Sequence, residues 1–263
     1  MRRALLRTGL VLAMALAGCL REPAPLPPVG EASEAASILV QANRGPVALV
    51  LLPHPITEQT VPAGLHRALL DAYAGVPLSA AVFHETERER ALRWLVGEIR
   101  HRRRNGRTPR LVLAGHAAGA TAAGEIARHV LRREPAAVVE LLLTVDAVKS
   151  TAVGATTGVA GTLLTLNNPL PGQTAHFVAW SDTPPVDGRR LLQHVNYYQT
   201  ETGLAHGARI RSASENHHVT STPGEAVNHG NIDDFAYPLL RADLATALRH
   251  ARRRDLHEEG RLP

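Results

Sequence analysis

Three positions in this 263-residue chain carry residue types and spacings that could do acyl chemistry: the turn Gly115-His116-Ala117-Ala118-Gly119, the aspartate Asp146 and the histidine His229. The turn has the spacing G-x-S-x-G, in which small flanking residues let a strand and a helix cross closely. The central residue is then held in a strained conformation that pushes its side chain out above the sheet. Here that residue is Ala117, and a methyl group can neither attack a carbonyl nor receive a proton. Two glycines four apart are a weak signal alone, so their context decides. Leu111 to Ala114 are apolar on both faces, as a central parallel strand requires. Ala118, Ala122, Ile126 and Val130 follow at four-residue steps and predict a helix with a narrow apolar stripe.

Each partner has a chemical and a plain reading. His229 precedes the last helical segment and suits either a general base or a loop-capping residue. Asp146 ends the apolar run VVELLLTV and could orient an imidazole or cap the segment after it. Asp233 and Asp234 could take the orienting role, although capping of a helix start explains them as well. His54 and His116 would line the cleft. Thr121 is one turn down the helix that follows this turn and does not replace the missing hydroxyl; Ser150 and Thr151 stay open as substitutes, as does a histidine-activated water. His54, His116 and His229 with Asp146 suit zinc by type. No close-spaced pair holds two of them on one element, His217-His218 are adjacent, and no metal site is expected. The small, polar run from Ser150 to Thr165 lacks a phosphate-loop lysine, and no cofactor is expected.

The elements that must position these residues alternate as in an α/β protein. Strands are predicted at Pro46 to Leu52, Leu78 to Phe83, Leu111 to Ala114, Val138 to Val145, Ala175 to Trp180 and His194 to Tyr198. A helix over Pro62 to Ala74 carries Leu65, Leu69, Leu70 and Tyr73 on one face. Another over Glu85 to Arg104 buries Leu92, Leu95, Val96 and Ile99, with arginines around the rest, and closes at Asn105-Gly106. Thr202 to Gly224 reads as long and irregular. The last helix runs to about Arg254, with Pro238 an interruption near its start. Aromatics make up 3% of the chain, so the core must come from Leu, Val and Ala.

Arg2, Arg3 and Arg7 introduce an apolar segment, Leu10 to Ala17, too short for a mature membrane span but suited to a secretory leader. It ends in Leu16-Ala17-Gly18-Cys19, which resembles the processing box of bacterial lipoproteins. That resemblance implies a signal peptide over 1–18 and a lipid anchor on Cys19, the one cysteine of the chain. Leu20 in place of aspartate implies outer-membrane delivery, facing the periplasm, in a Gram-negative organism. Residues 19–37 are proline-rich and read as a tether, and 38–263 as one domain with a basic C-terminal helix. Without the leader the formal charge falls from +5 to +2, since 5 − 3 = 2. The remaining basic clusters, around Arg102 to Arg107 and Arg249 to Arg254, end helices and complement their dipoles. No nucleic-acid partner is expected, and a tethered chain could touch anionic headgroups.

With these motifs in order, the chain resembles the α/β-hydrolase superfamily, its lipase-like and esterase-like members in particular, from about Val47 to Arg249. The resemblance implies a three-layer α/β domain with a mainly parallel sheet. It also implies Ala117 at the nucleophile position, Asp146 as acid and His229 as base, with oxyanion donors from the backbone at Ala118 and His54. The departure at Ala117 points to an envelope lipoprotein with a degenerate site, binding a small acyl or other hydrophobic ligand or an envelope protein. The alternatives are an active ester hydrolase, if Ala117 is an introduced substitution or another nucleophile serves, and a structural envelope protein.

Overall fold

The computed structural model describes residues 38–40, 45–52, 64–72, 76, 78–147, 189–201 and 207–262. Seven strands form one sheet: β1 (Ile38–Val40), β2 (Val47–Leu52), β3 (Ser79–His84), β4 (Arg110–His116), β5 (Val138–Val145), β6 (His194–Tyr198) and β7 (Glu215–His218), in spatial order β1-β3-β2-β4-β5-β6-β7. Every pairing is parallel except that of β1 with β3. Parallel neighbours need crossovers, and between β2 and β5 helices supply them: α1 (Gly64–Ala72), α2 (Arg88–Arg104) and α3 (Ala118–Arg133); α4 (Ile232–Phe235) and α5 (Tyr237–Glu258) follow the last strand. Among the described residues no helix is long and apolar enough to cross a membrane.

Side-chain alternation sorts β2 between two cores. Val47, Leu49 and Leu51 pack with Leu95, Ile99, Ile126 and Val130 of α2 and α3. Ala48, Val50 and Leu52 pack with Leu65 and Leu69 of α1 and with Leu240, Leu244 and Leu248 of α5. Both faces of the central strands are therefore buried, which is why they read as continuous apolar runs. Each fully buried leucine contributes about 2 kcal/mol relative to exposure. The result is a three-layer α/β domain with a mainly parallel sheet, the architecture that the sequence resemblance implies.

Several local expectations are corrected. The buried stripe of α2 is Ala91, Leu95, Glu98, Ile99 and Arg102, so Leu92 and Val96 are only half-buried and one arginine lies inside. Arg102 is tolerated there because Glu98 Oε2 accepts its Nη1 at 2.5 Å and Gly45 O accepts its Nε at 3.0 Å. The first two turns of α3 are buried all round instead of along one stripe, and Ala118 is half-buried. Leu70 is half-buried too. Glu85–Glu87 form a 3-10 turn before α2. The segment expected to be irregular contains β7, a polar edge strand whose His217 and His218 stack on Tyr197 and Tyr198 with ring centroids 4.8 and 5.1 Å apart. The last helix reaches Glu258, and Pro238 lies in its first turn, where a missing N–H costs nothing. The leader, Cys19, the tether, His54, Tyr73, Ser150 to Thr165 and the strand at Ala175 to Trp180 lie outside the described residues.

Candidate active site

The turn between β4 and α3 is shaped by its glycines. A Cβ added at Gly115 would lie 2.3 Å from the carbonyl oxygen of Gly119, and one at Gly119 would lie 2.4 Å from that of Leu51. Strand, helix and β2 therefore touch backbone to backbone, which no larger residue permits. Between them Ala117 has φ 56° and ψ −127°. Its N–H donates to Val145 O at 2.9 Å, and its carbonyl accepts from Ala120 N at 3.1 Å. Ala118 opens the helix, so its N–H belongs to the first turn, whose amides have no intrahelical acceptor.

The hydrogen bond from Ala117 brings the turn beside the end of β5, and the next residue is Asp146. It has φ 45°; Ala117 and Asp146 are the two non-glycine residues with positive φ among the described residues. The carboxylate of Asp146 is fully buried. It accepts from His229 Nδ1 at 2.6 Å, from Gln199 N at 3.4 Å, from Gln199 Nε2 at 3.3 Å and from the N–H of Gly207. Each of these contacts uses a carboxylate oxygen as the acceptor. Donation from Nδ1 leaves Nε2 of a neutral His229 with its lone pair, and the side chain is 29% exposed, so that lone pair can be reached.

His116, the residue before Ala117, is buried and its Nε2 donates to the carbonyl of His229 at 2.9 Å. The two rings lie 5.5 Å apart. Burial pushes the His116 imidazole below its ordinary pKa, and the Asp233 carboxylate opposes this in part. His116 Nδ1 has no hydrogen-bond partner among the described residues and lies 4.0 Å from Asp233 Oδ1. Asp233 Oδ2 in turn accepts Leu65 N at 3.1 Å, which ties α4 to the start of α1. Asp233 thus bonds α1 and does not reach His229 as an orienting acid; exposed Asp234 pairs with Arg67 at 3.7 Å.

Ala117, Ala118, Asp146 and His229 therefore gather at the carboxyl ends of β4 and β5, the edge where open parallel sheets do their chemistry. His54 lies outside the described residues. Thr121 is buried in the first turn of α3. Gln199 and Gly207 carry no local signal that would have marked them. Gln199 follows β6, whose register pairs Tyr197 with Val145, so a strand-by-strand alignment would have set it beside Asp146. At Gly207 a Cβ would meet Asp146 Oδ1 at 2.5 Å, a constraint that only the fold exposes. A strained turn, a helix-start amide with no intrahelical acceptor and a carboxylate-held imidazole are the parts of an acyl-transfer site, and the attacking oxygen is the part this chain does not place at the turn.

No family model matches the chain, and no curated protein matches it. Among solved structures it is similar to Est1E from Butyrivibrio proteoclasticus at 8% identity and TM-score 0.46, covering 80% of this chain and 89% of that one. It is also similar to the esterase domain of a Rhodothermus marinus protein at 14% identity and TM-score 0.44, covering 78% and 86%. The surfactin-cyclising thioesterase domain SrfTE is a third, at 16% identity and TM-score 0.38, covering 77% and 92%.

Proposed function

We propose that this chain is a hydrolase-fold protein with a vacant nucleophile position, which binds an acyl or other hydrophobic ligand, or an envelope partner, and does not turn over ordinary esters. The observation that carries this reading is the coincidence of strain and pairing: Ala117 and Asp146 both hold positive φ, and Asp146 fixes His229 at 2.6 Å. Strain of this kind costs roughly 1–3 kcal/mol per residue and survives where the surroundings impose it. A methyl at the strained position leaves the imidazole no hydroxyl to deprotonate, so only binding and oxyanion stabilisation remain.

The test is to put the oxygen back. Wild type, Ala117→Ser and Ala117→Ser/His229→Ala are compared on short and long acyl esters and with a serine-directed phosphonate. Ala117→Ser is expected to gain on the order of a thousandfold or more in hydrolysis, and the double variant to lose it. Wild-type turnover like that of an ordinary esterase would overturn the reading in favour of an active hydrolase with another nucleophile. The same proposal sets the protein in a bacterial envelope, anchored through an acylated Cys19, on the strength of the Leu16-to-Cys19 box. Mass spectrometry of the mature amino terminus tests that part, and an unmodified peptide starting elsewhere would end it.

A further inference from the structure

The charges on one helical layer are too one-sided for a solvated surface. In α2 the exposed charged residues are Arg88, Arg93, Arg100, Arg103 and Arg104, with Glu89 as the sole exposed acid. In α3 they are Arg132 and Arg133, beside exposed His129. Complementing helix dipoles explains arginines in the last turns. It does not explain Arg88 and Arg93 near the start of α2, where the dipole disfavours a cation. Three of the seven have acidic partners: Arg88 with Glu125, Arg93 with Glu89 at 3.8 Å and Arg103 with Glu134 at 3.1 Å. Arg100, Arg104, Arg132 and Arg133 have no ion pair among the described residues.

Shape narrows the partner. Both helices turn their inner faces into the same core cluster, and Arg103 bridges to Glu134 across them, so they lie side by side as one layer. Reading a nucleic-acid groove needs an element that projects into it, and neither helix projects. Two shallow concavities mark the layer. One, about 340 Å³, is lined by Arg88, Arg128, His129, Arg132 and Arg133 with one acid, Glu125, which pairs with Arg88; the other, about 610 Å³, is lined by Gly97, Arg100, Arg103 and Arg104. Guanidinium forks bind phosphate oxygens in pairs. Among the described residues the exposed large apolar side chains, Leu192, Leu239 and Leu262, all lie off these two helices, so none of them would insert into hydrocarbon with this face down.

We propose that the outer face of α2 and α3 is a docking surface for an anionic phospholipid bilayer, held by arginine–phosphate contacts at the headgroup level. With the two helices flat on the membrane the strands run along it, and the turn at Ala117 opens sideways. This inference uses neither the vacant nucleophile nor an acyl anchor. Each basic residue near an anionic surface contributes about 1 kcal/mol, a factor of roughly five in partitioning, and the attraction is screened by salt.

The full chain carrying Cys19→Ser, which no acyl group can anchor, is sedimented with vesicles of phosphatidylcholine alone and with about one-third phosphatidylglycerol. Binding is expected to be at least tenfold stronger to the anionic vesicles and to vanish in roughly 0.5 M salt. Arg100→Glu/Arg104→Glu/Arg132→Glu/Arg133→Glu should lower it by roughly several hundredfold or more. A control with the same charge change on other surfaces, Arg211→Glu/Arg241→Glu/Arg249→Glu/Arg253→Glu, should lose far less. If the first variant does not fold, the four Arg→Gln changes introduce no acid and give the same ranking with a smaller loss. Equal losses in variant and control, undiminished binding by the first variant, or equal binding to neutral vesicles would each overturn the proposal. Duplex DNA that binds more tightly than the anionic vesicles would overturn it in favour of a nucleic-acid face.

Discussion

His116 Nε2 donates to the backbone carbonyl of His229 at 2.9 Å, so the residue before the strained turn holds the loop of the residue that Asp146 orients. Two parts of the site far apart in sequence are locked through one buried imidazole. Replacing it with Phe keeps a ring but leaves the His229 carbonyl without its donor, at a cost of about 1–3 kcal/mol. His116→Gln, whose amide can donate, should lose less in urea unfolding. In the Ala117→Ser background the phosphonate labelling rate should fall in the same order. A Phe variant as stable and as reactive as its parent would show that the bond holds nothing.

The backbone plan of this site was readable from sequence because it rests on small residues at fixed steps. Gly115 and Gly119 are needed where backbones touch, and the apolar runs of β2, β4 and β5 announce a sheet covered on both faces. The rest depends on contacts between distant segments. Asp146 owes two of its partners to Gln199 and Gly207, neither of which has a local pattern. β7 is a polar edge strand, with exposed or half-buried residues throughout, so hydropathy gave it no signal. Arg102 looks like any other arginine in a basic run until Glu98, Gly45 and Ser79 close around it.

Two glycine substitutions should move stability in opposite directions. At Gly119 a Cβ would lie 2.4 Å from Leu51 O, and a strand backbone cannot retreat cheaply. Gly119→Ala should therefore cost more than about 3 kcal/mol or prevent soluble expression. Gly97 is exposed in the middle of α2, and nothing lies within 4 Å of an added Cβ. Gly97→Ala should stabilise the domain by about 1 kcal/mol through helix propensity. Thermal unfolding of both variants checks the pair, and a harmless Gly119→Ala would refute the close crossing at the turn.

Arg102 and Glu98 form a buried ion pair, with side chains 1% and 7% exposed. Removing one partner strands the other charge away from water, so Arg102→Met should cost about 3–5 kcal/mol. Arg102→Met/Glu98→Leu removes both charges and should recover much of that loss, though Gly45 O and Ser79 Oγ still lose a donor. A double variant no more stable than the single one would mean that those two acceptors, and not the stranded carboxylate, set the cost.

The last prediction concerns acid. Burial lowers His194 to about 4 from the ordinary histidine value of 6.5. The folded chain then binds fewer protons at this site than the unfolded chain between those two values. Stability is therefore complete above pH 6.5 and falls as the pH drops through the window, by about 3 kcal/mol at most. His116, lowered by burial as well, acts in the same direction. Asp255 acts against them: burial raises it to about 6, so the fold takes up a proton there first and gains stability as pH falls from 6 toward 3.8. The two effects overlap, which makes the total slope uninformative. The difference between wild type and His194→Asn isolates the histidine, because Asn keeps a polar group facing Thr144, whose hydroxyl lies 3.3 Å from His194 Nε2. In urea midpoints of both proteins at pH 7, 6, 5 and 4, the stability of wild type relative to the variant should be highest at pH 7 and fall on acidification, as wild type loses the part that depends on a neutral His194. Curves that stay parallel across the window would show that His194 takes up its proton as readily in the folded chain as in the unfolded one.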